Sequence, residues 1–169
     1  TSAPAAVLTV NPIAPIILST PPLAATAVQG RSFLFGPITI NNTPATFTAT
    51  GLPAGLSVNA ALGTISGSPT SIPTPNPATI VLTATNVTGS DSRTITLTVQ
   101  APPPVITSAA SHLGRVGVAY TFKVTASNTP TAFAASNLPA GLVIDTATGE
   151  IKGTPTQAGT TTVQLTVTN

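Results

Sequence analysis

Short runs of alternating apolar and polar residues, broken every few positions by Gly, Pro or Asn, carry most of the structural signal in this chain. Ile80, Leu82 and Ala84 alternate with Thr and Val, Ile95, Leu97 and Val99 alternate with Thr, and Val163, Leu165 and Val167 alternate with Gln164 and Thr166. A two-residue period puts one face of a strand inward and the other toward solvent. Shorter runs predict further strands: Ile16-Ile17-Leu18, then Phe33-Leu34-Phe35 continuing through Ile38 and Ile40, matched later by Tyr120 to Val124 with Gly36 as a one-residue bulge. Phe47 and Phe133 read as core residues. The 18 Pro and 13 Gly are scattered as punctuation, which argues against long helices.

One stretch occurs twice. Leu52-Pro53-Ala54-Gly55-Leu56, leading on to Gly63-Thr64-Ile65-Ser66-Gly67-Ser68-Pro69-Thr70, returns as Leu138-Pro139-Ala140-Gly141-Leu142 and Gly149-Glu150-Ile151-Lys152-Gly153-Thr154-Pro155-Thr156, always 86 residues later. A run this long repeating in register means that one structural unit is present twice. Leu-Pro-Ala-Gly places Pro second and Gly fourth in a type I turn. Leu56-Ser57-Val58 and Leu142-Val143-Ile144 then form the first arm of a hairpin. Gly63 and Gly149 close its turn, Ile65 and Ile151 mark the returning arm, and Pro69 and Pro155 stop the pairing, because Pro cannot donate to a ladder.

On these residues the chain resembles the immunoglobulin-like repeats of bacterial surface proteins, which are related to cadherin-like domains. Both copies carry the Leu-Pro-x-Gly-Leu turn, the hairpin closed by Gly before Ile, and the Gly-(Ser/Thr)-Pro stop; Leu62 and Ser68 stand where Thr is usual. The resemblance implies an all-β protein of two tandem immunoglobulin-like β-sandwiches, in a family whose repeats serve mostly as spacers, adhesive modules or structural units.

The two ends of the chain do not match. Ala6-Val7-Leu8-Thr9-Val10-Asn11 aligns with Ile95-Thr96-Leu97-Thr98-Val99-Gln100, and each leads into a Pro-rich joint. Residues 1–11 therefore look like the last strand of a preceding repeat. Residues 12–100 form the first domain, residues 101–104 a Pro-rich joint, and residues 105–169 a second domain that stops at the equivalent of Asn86, before its last strand. A surplus strand in front and a missing one behind suggest donation between molecules, with Ala6, Leu8 and Val10 completing a neighbour's core beside Val163, Leu165 and Val167. Such a contact is heterologous and generates a fibre if it does not close. The competing expectation is a long repeat array cut once per period.

Charge sharpens the picture. Only 5% of residues are charged, against about 25–35% for a well-behaved soluble surface, so Thr (about one residue in five), Ser, Ala and Asn must cover the exposed faces. Such a surface favours association through sheet edges. The pI near 9.7 rests on five basic residues against three acidic ones, and Arg31, Arg93, Arg115, Lys123 and Lys152 form no run, so nucleic acid is not an expected partner. No apolar stretch is long enough for a transmembrane helix. There is no Cys, hence no disulfide framework or thiolate metal site. The first residue is Thr, which suggests a processed, secreted product.

Candidate chemistry is sparse. His112 is the only His, and Asp91, Asp145 and Glu150 are the only acids. Asp145 and Glu150 flank the second hairpin turn, where Asp normally bonds nearby backbone N–H groups. The calcium sites of cadherin-like relatives need several clustered carboxylates. No nucleophile–base spacing or phosphate loop appears, so no catalytic, metal or cofactor residues are expected. Asn41 and Asn86 lie in glycosylation sequons, and Tyr120 and the Phe residues read as core before sugar platform. The expected function is a non-enzymatic, extracellular fibre or surface-layer subunit whose partner is another copy of itself. The alternative is a piece of a surface adhesin or stalk that binds a glycan or protein, and a carbohydrate-binding module is a third class.

Overall fold

The computed structural model describes residues 13–19, 23–42 and 45–169. Among them every regular element is a strand. The chain divides into two units, Thr1–Gln100 and Ala101–Asn169. The segment 1–11, with Ala6, Leu8 and Val10, lies outside the described residues.

In the first unit, β1 (Ile16–Ile17) is followed by β2 (Leu23–Val28), β3 (Phe33–Phe35), β4 (Ile40–Asn41), β5 (Thr46–Thr50), β6 (Leu56–Val58), β7 (Ile65–Gly67), β8 (Ala78–Asn86) and β9 (Gly89–Gln100). One sheet runs β2-β9-β8-β5, a second β3-β7-β6, and β1 pairs with β4. The alternating face of β8 and β9 is buried as its pattern dictates: Ile80, Leu82, Ala84, Ile95, Leu97 and Val99 are all at most 1% exposed. With Ile17, Ala27, Ile38, Phe47 and Ile65 they form one core of eleven buried residues. This is a β-sandwich.

The second unit comprises β10 (Tyr120–Lys123), β11 (Ala132–Ser136), β12 (Leu142–Ile144), β13 (Glu150–Gly153) and β14 (Gln164–Thr168). Its sheets are β10-β13-β12 and β11-β14. Its core has three buried residues, Val124, Phe133 and Ile151, ringed by partly buried Ile106, Tyr120, Phe122, Leu138, Leu142, Ile144, Leu165 and Val167.

Three local expectations differ from the structure. The repeated turn closes one residue later than a Leu-first type I turn: Leu56 N–H donates to the Pro53 carbonyl at 3.1 Å and Leu142 N–H to the Pro139 carbonyl at 3.1 Å. Gly55 (φ 90°) and Gly141 (φ 91°) thus sit third, as a type II turn requires. The run from Phe33 to Ile40 is two strands rather than one bulged strand; Gly36 (φ 100°) and Pro37 break it, so that β3 pairs with β7 and β4 with β1. Finally, β2 has no counterpart in the sequence reading. Its Leu-Ala-Ala-Thr-Ala-Val lacks the β-branched density that marks a strand, and it is held by parallel pairing to β9.

Candidate functional site

A groove of about 790 Å³ lies in the second unit, floored by Tyr120, Phe122, Leu142, Ile151 and Leu165 and walled by residues 109–116. Its origin follows from comparison with the first unit. Phe47 of β5 faces Ala84 of β8, and Phe133 of β11 faces Val167 of β14, so Ile80, Leu82 and Ala84 correspond to Val163, Leu165 and Val167. The other edge of β8 carries β9, with Ile80 opposite Ile95 and Leu82 opposite Arg93. The other edge of β14 carries no strand among the described residues. Val163, Leu165 and Val167 are consequently only partly buried. Burial pushes the Tyr120 phenol above its ordinary range even so.

A second effect of β9 reaches the first strand. The Asp91 carboxylate accepts from the Ile17 N–H at 2.8 Å and from the Arg93 guanidinium at 2.8 Å, while Arg93 also donates to the Ile17 carbonyl at 3.2 Å. The bond from Ile17, reinforced by Arg93, holds the Asp91 carboxyl below the usual range against an opposing cost of burial. Ile17 is 2% exposed. Its counterpart Ile106 has neither partner and is partly buried, and it makes a single bridge to Ala126 where the first unit has a two-residue pairing. Sequence reasoning passed over Asp91 and Arg93; the alternation of charge along β9, Asp-Ser-Arg, was the available signal.

The other singled-out residues have structural roles. Asp145 Oδ1 accepts from Ala147 N–H and Thr148 N–H, both at 3.0 Å, and these bonds lower its pKa, Thr148 contributing most. Asn59 does the same in the first unit, accepting from Ala61 and Leu62 N–H at 2.9 and 3.0 Å. The turns they cap end at Gly63 (φ 66°) and Gly149 (φ 72°), where a Cβ would lie 2.9 Å from the Phe47 ring and 2.6 Å from the Phe133 ring, so each Gly lets a core Phe pack on the backbone. Glu150 pairs with Lys152 at 3.2 Å, which lowers its pKa with help from Thr121. His112 lies against Phe122 at the groove wall, ring centroids 3.8 Å apart. No group of three metal-ligating side chains occurs among the described residues, and no helix there is long and apolar enough to cross a membrane.

Of the two sequon asparagines, Asn41 is exposed on β4, whereas Asn86 Nδ2, the atom to which a glycan would be attached, donates to the Ile13 carbonyl at 2.7 Å and the Asn42 carbonyl at 3.4 Å. Asn169 repeats this in the second unit, donating to Pro102 and Asn128 carbonyls at 2.8 and 3.0 Å. Asn42 and Asn128, both left-handed at φ 59° and 58°, donate to Ala14 and Pro103. Each unit thus ties its first segment to the end of the strand that pairs with β5 or β11, at Asn86 or Asn169, with the same two amides.

A family described as "Putative Ig domain" matches residues 14–100 and again residues 103–169. The chain belongs to that family. Immunoglobulin-like domains of this kind are typically non-catalytic modules of extracellular and structural proteins. No curated protein matches the chain. Among solved structures, an I-band fragment of titin is similar at TM-score 0.57 and 14% identity, over 92% of this chain and 60% of that one. The N-terminal four Ig domains of Dscam1 are similar at TM-score 0.53 and 13% identity, over 95% of this chain and 43% of that one. These likenesses bear on fold alone. A "putative alpha-galactosidase" of Bacteroides fragilis NCTC 9343 shares 28% identity over 56% of this chain at TM-score 0.43. This chain spans 19% of the length of that protein.

Proposed function

We propose that the chain is a non-catalytic, secreted structural module whose second unit is completed by a strand from another copy, giving a head-to-tail fibre or surface layer. The groove beside β14 carries this reading, because the same slot in the first unit is filled by β9 and residues 6–11 repeat the pattern of β9. In this arrangement Ala6, Leu8 and Val10 take the places of Ile95, Leu97 and Val99, with Ala6 opposite Val163, and complete the core that Val163, Leu165 and Val167 help to line. Domain boundaries at 12–100 and 105–169, with 1–11 as donor and 101–104 as joint, belong to the same proposal. Ser2 and Pro4 would stand where Asp91 and Arg93 clamp Ile17, so the donated strand would bind by apolar burial and backbone pairing, without the ionic clamp.

A second reading is favoured by the connection between β8 and β9. These strands are joined through Val87 and Thr88 alone, so residues following Asn169 in a longer chain could fill the slot by the same hairpin, as in an array that carries an adhesin or presents a glycan- or protein-binding surface. Electron microscopy and analytical ultracentrifugation of the purified chain separate the two. Strand donation gives long polymers that Leu8→Asp reduces to monomers or short oligomers. A monodisperse wild-type monomer overturns donation and leaves the array.

A further inference from the structure

Residues 110–115 occupy the place of a strand without being one. The turn that follows them is the turn that follows β2: Gly30 N–H donates to the Pro69 carbonyl at 2.8 Å and Gly117 N–H to the Pro155 carbonyl at 3.0 Å, with φ of 73° and 75°. Arg31 N–H reaches the Val28 carbonyl at 3.0 Å, and Val118 N–H reaches the Arg115 carbonyl at 3.2 Å. Val28 therefore corresponds to Arg115, Ala27 to Gly114, Ala25 to His112 and Leu23 to Ala110. In the first unit these positions pair parallel with β9, Leu23 beside Ile95, Ala25 beside Leu97 and Ala27 beside Val99, and Gln29 N–H closes the ladder on the Gln100 carbonyl at 2.9 Å. In the second unit residues 110–115 are exposed throughout, Leu113 98% so, and none is in a strand. The local turn is in place, and no pairing partner lies among the described residues.

We infer that residues 110–115 are a conditional strand, which forms parallel to whatever strand fills the groove and carries His112 off Phe122. The inference rests on the groove being completed by a strand, but not on which chain supplies it. It also fixes the register. The incoming strand runs antiparallel to β14, the residue in the place of Ile95 lies opposite Val163 and beside Ala110, and the residues in the places of Leu97 and Val99 lie beside His112 and Gly114. Because Ala25 is replaced by the larger His112, the ring must move off Phe122 to admit an apolar side chain there. The backbone N–H groups of residues 110–115 then pass from solvent into a ladder, which slows their exchange.

The test uses the full-length Leu8→Asp chain, which removes self-donation, and two synthetic peptides, one with the sequence of residues 89–101 and one with that of residues 1–11. Amide hydrogen exchange is followed at β14 and at residues 110–115, with the imidazole proton signals of His112, the only His in the chain, as a second readout. The expected result is protection at both segments on peptide binding, with exchange at 110–115 slowed on the order of tenfold or more and loss of the ring-current displacement that Phe122 imposes on His112. Protection of β14 with residues 110–115 unchanged overturns the conditional strand and leaves strand completion standing. Both effects with the 89–101 peptide and neither with the 1–11 peptide supports the conditional strand and overturns the N-terminal donor. Binding of neither peptide overturns both.

Discussion

Leu82 and Leu165 occupy the same place in two copies of one unit, yet Leu82 is fully buried and Leu165 is not. Neither residue's own strand explains this, since β8 and β14 pair with β5 and β11 in the same register. The difference is β9. Where it is present, it covers Leu82 and its neighbours, supports β2 along its far edge, and holds Ile17 through Asp91 and Arg93. In the second unit, where no such strand lies among the described residues, the counterpart of β2, residues 110–115, is in no strand and the pairing of the first segment is one bridge. The difference at one central strand thus reaches both of the segments it supports in the first unit, while the hairpin of β12 and β13, which belongs to the other sheet, keeps the pairing of β6 and β7.

The strongest way to break this comparison is to erase the difference. Appending the sequence of residues 87–100 after Asn169 supplies counterparts of Ile95, Leu97 and Val99, each of which contributes about 1.5–3 kcal/mol on full burial. A net gain of even about 2 kcal/mol raises the melting midpoint of a unit of this size by roughly 8–16 °C. Calorimetry should show the lower-melting transition move up toward the other; an unmoved transition would mean that the missing strand is not what limits the second unit. Next in size, Leu82→Ala should cost about 2–5 kcal/mol by urea denaturation. Leu165→Ala should cost about 1–2 kcal/mol, because much of that side chain is already hydrated, and should approach the Leu82 value in the appended chain. Equal costs in the unextended chain would contradict the burial difference. Smallest is Asp91→Asn, which keeps an oxygen acceptor but weakens a charge-assisted bond to a backbone N–H, and should cost about 0.5–1 kcal/mol in the first unit alone. Since the folded-state pKa of Asp91 is depressed, its contribution is present above the ordinary Asp value of about 3.9 and is lost as pH falls through the lower folded value. Urea midpoints across that range should fall for the wild-type first unit and flatten in the variant.

Much of the fold was legible because it is carried by local chemistry. The turn and hairpin from Leu52 to Pro69 are specified by Pro and Gly at fixed offsets, and the buried faces of β8 and β9 by strict alternation. What escaped was set at a distance. The Ala-rich β2 is a strand because β9 lies beside it, and the corresponding segment in the second unit, with no such partner among the described residues, is none; no property of Leu-Ala-Ala-Thr-Ala-Val alone could announce that. The spacing of Asp91 and Arg93 hinted at an ion pair, but what the pair holds was not legible, since that is the backbone of Ile17, 74 residues earlier. The alternation of Val163, Leu165 and Val167 was legible, and all three are partly buried with no strand on the far side of β14 among the described residues.

The turn capped by Asn59 in one unit and Asp145 in the other asks its side chain for a single oxygen acceptor and nothing more. Slow hydrolysis of the Asn59 amide, the ordinary ageing of a long-lived protein, would therefore add a negative charge at the surface while leaving both capping bonds intact. In a chain with eight ionised side chains, five basic and three acidic, that one event halves the net charge without altering the scaffold.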